Sequence, residues 1–169
     1  MSIPRAARMN TRFLTLVRHA RAVTQAVSEP DFERALTVEG RNEARNAAER
    51  FADDGPTPDL LVSSPAPRAL ETARIFAAAL GLAADAIAIE PELYNASVDD
   101  IESVLGRTPA DVTHAAVFGH NPGVSDFARA VGADLTITDL GTAGGITFQL
   151  DMPDWATLDL AVAKILGKF

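Results

Sequence analysis

Three apolar runs of strand length mark the first two-thirds of the chain. They are Phe13-Leu14-Thr15-Leu16-Val17, Asp59-Leu60-Leu61-Val62-Ser63-Ser64 and His114-Ala115-Ala116-Val117-Phe118. Each is close to continuously apolar, the pattern of a parallel strand buried on both faces. Between them the period changes to that of helices. Ala44, Ala47, Ala48 and Phe51 share one face, while Arg41, Glu43, Arg45 and Glu49 fall mostly on the other. Thr37 stands where its hydroxyl can cap that helix, and Asp53-Asp54-Gly55-Pro56 ends it. A second helix is predicted from Pro65 to about Leu80, with Ser64 as its cap and Leu70, Ala73, Phe76, Ala77 and Leu80 as its buried stripe. Ile87-Ala88-Ile89 reads as a short strand. Ser97 caps a short helix with Ile101, Val104 and Leu105 inward, and Asn121-Pro122 caps and starts another that carries Val124, Phe127, Ala128 and Val131. Ile146 to Leu150 alternates like a strand, and 157–166 is expected to form a closing edge strand. Trp155 is expected to pack in the core or at the sheet edge. Strands alternating with helices predict an α/β fold with a mostly parallel central sheet.

Ligands in such a fold bind outside the carboxyl ends of the strands. All three runs end in, or lead shortly to, a cationic or titratable side chain. Arg18-His19 follows the first, Arg68 the second, and His120 the third. Arg18 and Arg68 offer planar forks of donors to an oxyanion. His19 offers a nitrogen that can attack phosphorus or move a proton, and His120 lies next to a helix start, where anions are favoured. Arg68 in a helix's first turn opposes the helix dipole, which suggests function rather than stability. His114 lacks such a setting and is expected to be structural. The polar stretch from Ala22 to Ala35, with Ser28, Glu29, Pro30 and Asp31, reads mainly as a surface loop beside the site.

Composition narrows the chemistry. At 169 residues and 47% hydrophobic, the chain suits one domain with a sizeable core. We expect a flexible extension over 1–12 and a single domain over 13–169. There is no cysteine, so neither disulfides nor thiolate metal sites occur. A net charge of -8 argues against nucleic-acid or anionic-membrane partners. No apolar run approaches the roughly 20 residues of a membrane span, and the start lacks an apolar signal core, so a cytoplasmic location is expected. No P-loop and no metal-ligand spacing is found, so a metal-free phosphoryl transfer without cofactor is expected, with His19 as nucleophile.

Several motifs resemble those of the histidine phosphatase, or phosphoglycerate-mutase-like, superfamily. Leu16-Val17-Arg18-His19-Ala20 is similar to its Arg-His-Gly signature, in the alanine form typical of the phosphohistidine phosphatase (SixA-type) branch. Leu36-Thr37-Val38-Glu39-Gly40-Arg41 resembles the Leu-Thr/Asn-x-x-Gly helix start, and Ser63-Ser64-Pro65-Ala66-Pro67-Arg68-Ala69-Leu70-Glu71-Thr72-Ala73 the Ser-Ser-Pro-x-x-Arg-Ala-x-x-Thr-Ala motif. Glu92-Leu93-Tyr94-Asn95-Ala96, Gly119-His120-Asn121-Pro122-Gly123 and Thr142-Ala143-Gly144 also resemble that branch.

The resemblance implies a three-layer α/β/α fold. It implies that His19 takes the phosphoryl group, that Arg18, Arg68 and His120 bind its oxygens, and that Asn121 helps through its backbone. The chain departs from the larger family at the proton donor. Asn95 stands where mutase-type members carry Glu, and Asn121 where acid phosphatases carry Asp. Glu92 is the remaining candidate. A missing acid matters least for an imidazole leaving group, so phosphohistidine of a protein, such as a histidine phosphotransfer-type domain, is the expected substrate. A small phosphorylated molecule hydrolysed as a phosphomonoester, or an idle phosphate-binding module, are the alternatives.

Overall fold

A computed structural model describes residues 10–26 and 29–169. Six strands form one sheet in the order β3-β2-β4-β1-β5-β6. These are β1 (Asn10–Arg18), β2 (Leu60–Ser63), β3 (Ile87–Ile89), β4 (His114–Gly119), β5 (Gly145–Met152) and β6 (Val162–Lys168). The first four run parallel; β5 pairs antiparallel with β1, and β6 antiparallel with β5. Alternate residues of the inner strands feed two cores. Leu14, Leu16, Ala115 and Val117 face one, while Val17, Ala116 and Phe118 face the other. Helices α1 (Val38–Asp54) and α2 (Pro67–Ala79) cover the second face. Helices α3 (Val98–Gly106) and α4 (Gly123–Gly132) cover the first, together with the 3-10 segment Trp155–Leu160. The result is the expected three-layer α/β/α arrangement.

Local chemistry accounts for the helix starts. Thr37 accepts a hydrogen bond from Gly40 N at 2.9 Å, as its cap position requires. Ser97 and Asp100 form a reciprocal capping box at the start of α3. Gly40 is required by proximity, because a Cβ there would lie 2.0 Å from the Arg21 carbonyl oxygen. That contact presses α1 against the backbone two residues past His19.

Four expectations are corrected. Residues 10–12 are not part of an extension: they belong to β1 and pair with β5, and Arg12 is buried, donating to the carbonyls of Ala110 and Pro153 and lying over Trp155. Residues 1–9 and Ser28 lie outside the described residues. Helix α2 begins at Pro67 rather than Pro65, with no side-chain cap, because its cap position is Ala66, which carries no side-chain acceptor; Ser64, two residues earlier, bonds His120 and Ala66 N. Asn121 does not cap α4, which starts at Gly123; its side chain is tied to Leu140 and Ser125. The closing strand lies at 162–168, later than expected, after the 3-10 segment that buries Trp155.

Candidate active site

Adjacent strands β2, β4 and β1 end together. The sheet ladder continues one residue past them, through His19 N to Gly119 O at 3.0 Å and Ser64 N to Phe118 O at 3.0 Å. These bonds deliver His19, His120 and Ser64 to one place at the carboxyl edge. The two imidazole centroids lie 5.1 Å apart, and both residues are buried.

Hydrogen bonding fixes the tautomer of His19. Its Nδ1 lies 2.7 Å from the Ala20 carbonyl oxygen. A carbonyl only accepts, so Nδ1 carries the proton and Nε2 carries a lone pair. Arg68 Nε donates to that Nε2 at 3.3 Å. Burial lowers the His19 pKa to about 4 against the pull of the Ala20 bond, and the charges of Arg68, Arg18 and Arg34 lower it further. The ring is therefore neutral near neutral pH.

His120 bonds the Ser64 hydroxyl through Nε2 at 2.8 Å, and its buried Nδ1 has no protein partner. Ser64 Oγ already accepts from Ala66 N at 3.3 Å, so its own hydrogen is free to point to Nε2. With that hydrogen directed at Nε2, the ring's own proton sits on Nδ1, which then acts as a donor. Burial, followed by the neighbouring His19 and Arg68, lowers the His120 pKa to about 3.

Arg68 comes from the first turn of α2 yet is only 3% exposed. Asp31 meets it from outside: Nη2 donates to the carboxylate at 2.8 Å and Nη1 to the Asp31 carbonyl at 2.7 Å. Tyr94 donates its hydroxyl to the same carboxylate oxygen at 2.9 Å, and Arg34 donates to the other at 2.9 Å. The bond from Arg34, followed by those of Tyr94 and Arg68, lowers the Asp31 pKa to about 2, so the group is a carboxylate. Arg18 donates Nη1 to the Leu140 carbonyl at 2.9 Å and leaves a buried Nε without a partner. Thr72 ties the layers together, accepting from Ala20 N and donating to the Arg68 carbonyl.

His19, Arg68 and His120 are thus brought together, with Arg18 close enough to act on His19. Asn121 adjoins them, but both ends of its amide are occupied. Glu92 is not brought to the pair: its carboxylate is exposed and bonds Arg107, which Glu90 shares. Asp31, read from sequence as a loop residue, touches the site directly. It stands three residues before Arg34 in a stretch already placed beside the site, and it opens a short 3-10 turn. Nothing in the sequence singled it out beyond its place in that stretch. His114 is structural as expected, bonding Thr15 at 2.9 Å inside the core. Among the described residues no group of three or more His, Asp or Glu could hold a metal ion. No helix among the described residues is long and apolar enough to cross a membrane.

Among curated proteins none matches the sequence. Solved structures do match. A structure from Nakamurella multipartitia, assigned as a phosphohistidine phosphatase SixA, is 27% identical over 95% of this chain and 96% of its own, with a TM-score of 0.77. One from Agrobacterium tumefaciens with the same assignment is 26% identical over 94% and 97%, with a TM-score of 0.78. The fold is also that of a protein histidine phosphatase SixA complexed with tungstate, at 22% identity over 93% and 96% and a TM-score of 0.78. The sequence profile of the histidine phosphatase superfamily (branch 1) matches residues 14–120. That span takes in β1, α1, β2, α2 and β4, the elements that carry or flank every side chain of the pocket, and so the chain belongs to the histidine phosphatase superfamily.

Proposed function

We propose that the protein is a metal-independent phosphatase that works through a phosphoryl group on His19 Nε2, and that its substrate is phosphohistidine of a protein. The observation that carries this is the hydrogen bond from His19 Nδ1–H to the Ala20 carbonyl, which aims a neutral nitrogen lone pair at the site. That nitrogen attacks phosphorus, forming a P–N bond as the bond to the leaving group breaks. Arg18, Arg68 and the Nδ1–H of His120 meet the charge on the equatorial oxygens, the role a metal ion plays elsewhere. Water then attacks the phosphoryl group, the P–Nε2 bond breaks, and phosphate leaves with His19 restored. An imidazole leaving group supports the protein substrate, because no protonated carboxyl group adjoins the pair: Asp31 is ionised and Glu92 is bound to Arg107. A groove of about 600 Å³ lies beside His120, bordered by Asn95, Ser97, Asp99, Pro122 and Asp126.

The test is incubation with a phosphotransfer domain phosphorylated on histidine, with a chelator present. Phosphate release is expected to persist, and His19→Ala to lower it at least about a thousandfold, the scale for loss of a nucleophile. Full activity in His19→Ala, or turnover of alkyl phosphates alone, would overturn the reading.

A further inference from the structure

Asp31 stands at the mouth of the pocket rather than in its floor. His19 is 9% exposed and Arg68 3%, whereas the Asp31 side chain is 35% exposed. A leaving group must depart to solvent, so it passes this outer shell. The shell also holds two aromatic rings. Phe32, at 36% exposure, packs edge-on against Tyr94 with centroids 5.0 Å apart, and Tyr94 lies 5.5 Å from the His120 ring. A planar, cationic phosphoimidazolium ring fits such a wall.

Resting on the phosphohistidine reading above, we propose that Asp31 is a specificity-determining residue whose carboxylate receives the ring N–H of a phosphorylated imidazolium, favouring phosphoramidates over phosphate esters. The carboxylate has capacity for this. It offers about four lone-pair directions, and three are used: one by Arg34 on Oδ1, two by Arg68 and Tyr94 on Oδ2. The chemistry balances without a protein acid. When the second ring nitrogen of phosphohistidine is protonated, His19 Nε2 forms its bond to phosphorus and the substrate P–N bond breaks. The electron pair stays on the departing nitrogen, and the ring leaves as neutral imidazole, keeping its N–H. A phenyl or alkyl ester gains no direct contact from a carboxylate at this position. It lacks the N–H, and its developing oxyanion meets like charge.

Positioning of Arg68 is a separate role that serves both substrates alike, and the Asp31 carbonyl supplies part of it. Arg68 keeps its bond to the Asp31 carbonyl and its place over the Tyr94 ring. Asp31→Asn is nearly isosteric and retains one acceptor. The experiment compares kcat/KM for N-phosphohistidine and for phenyl phosphate in the wild type, Asp31→Asn and Asp31→Glu. Expected is a loss of about tenfold or more on N-phosphohistidine in Asp31→Asn, the size of one charge-assisted hydrogen bond. Phenyl phosphate turnover should fall less, because it loses only the support of Arg68 that both substrates share, and Asp31→Glu should recover part of the loss. Equal losses on both substrates, or no loss on either, would overturn the assignment of Asp31 while leaving His19 chemistry intact. A wild-type protein inert toward N-phosphohistidine but active on phenyl phosphate would overturn the phosphohistidine reading, and this proposal with it.

Discussion

His120 owes its orientation to a single hydroxyl. Ser64 is fully buried, and its Oγ is the ring's sole hydrogen-bond partner among the described residues. In Ser64→Ala the Nε2 atom is left buried and unpaired, at a cost of about 1–3 kcal/mol. We expect denaturant melts to show that loss. Phosphoryl transfer to His19 should slow by about tenfold or more, because a donor to the transferring oxygens is misaligned. An unchanged transfer rate would mean that the hydroxyl does not hold the ring. The four principal side chains were legible in sequence because each follows an apolar run, so strand burial and strand ends locate them together. Asp31 was not, since a polar loop has no period and only tertiary contact with Arg68 gives it a role. Glu92 misled for a related reason. It lies two residues from Tyr94 in sequence, yet the 3-10 turn at Pro91–Leu93 leaves it on Arg107 while the Tyr94 hydroxyl reaches Asp31.

Helix α1 is seated against the backbone that follows His19. Thr37 N donates to the Arg21 carbonyl at 3.0 Å, and Gly40 passes so near that carbonyl that no Cβ fits. Gly40→Ala must therefore push the helix from the site or shift residues 20–21. An exposed helical glycine replaced by alanine gains stability; here overpacking wins, and a loss of about 1–3 kcal/mol is expected. Thermal melts would check it, and a stabilised variant would contradict the close approach. The existence and type of the helices could be read from their 3.6-residue spacing. The starts of α2 and α4 could not. Pro65 and Pro67 both suit a first turn, and spacing alone does not choose between them.

Across the molecule, all three histidines are buried and resist protonation. Burial is the leading cause in each, with pKa values of about 4 for His19, 4 for His114 and 3 for His120 against an ordinary 6.5. The unfolded chain therefore binds more protons than the folded one as pH falls below 6.5. Stability is fully present above that value and is lost as pH drops toward the folded values. Urea midpoints should fall steadily from about pH 7 to about pH 5, before most carboxylates titrate. Replacing His114 with Gln should flatten that fall, and a flat wild-type curve would contradict the burial. Strand order was the least legible feature at this scale. A run apolar on both faces does not name its neighbours, and β5 enters antiparallel beside β1 without altering the pattern of either.

The ladder that unites β1 with β4 joins segments about a hundred positions apart, as the Thr15–His114 bond shows. A nascent or unfolded copy lacks this ladder. In such a copy His19 is an ordinary solvated imidazole, far from Arg68 and His120. On the proposed mechanism, partial synthesis yields a chemically silent peptide, and reactivity toward phosphoryl donors switches on only when β4 closes beside β1.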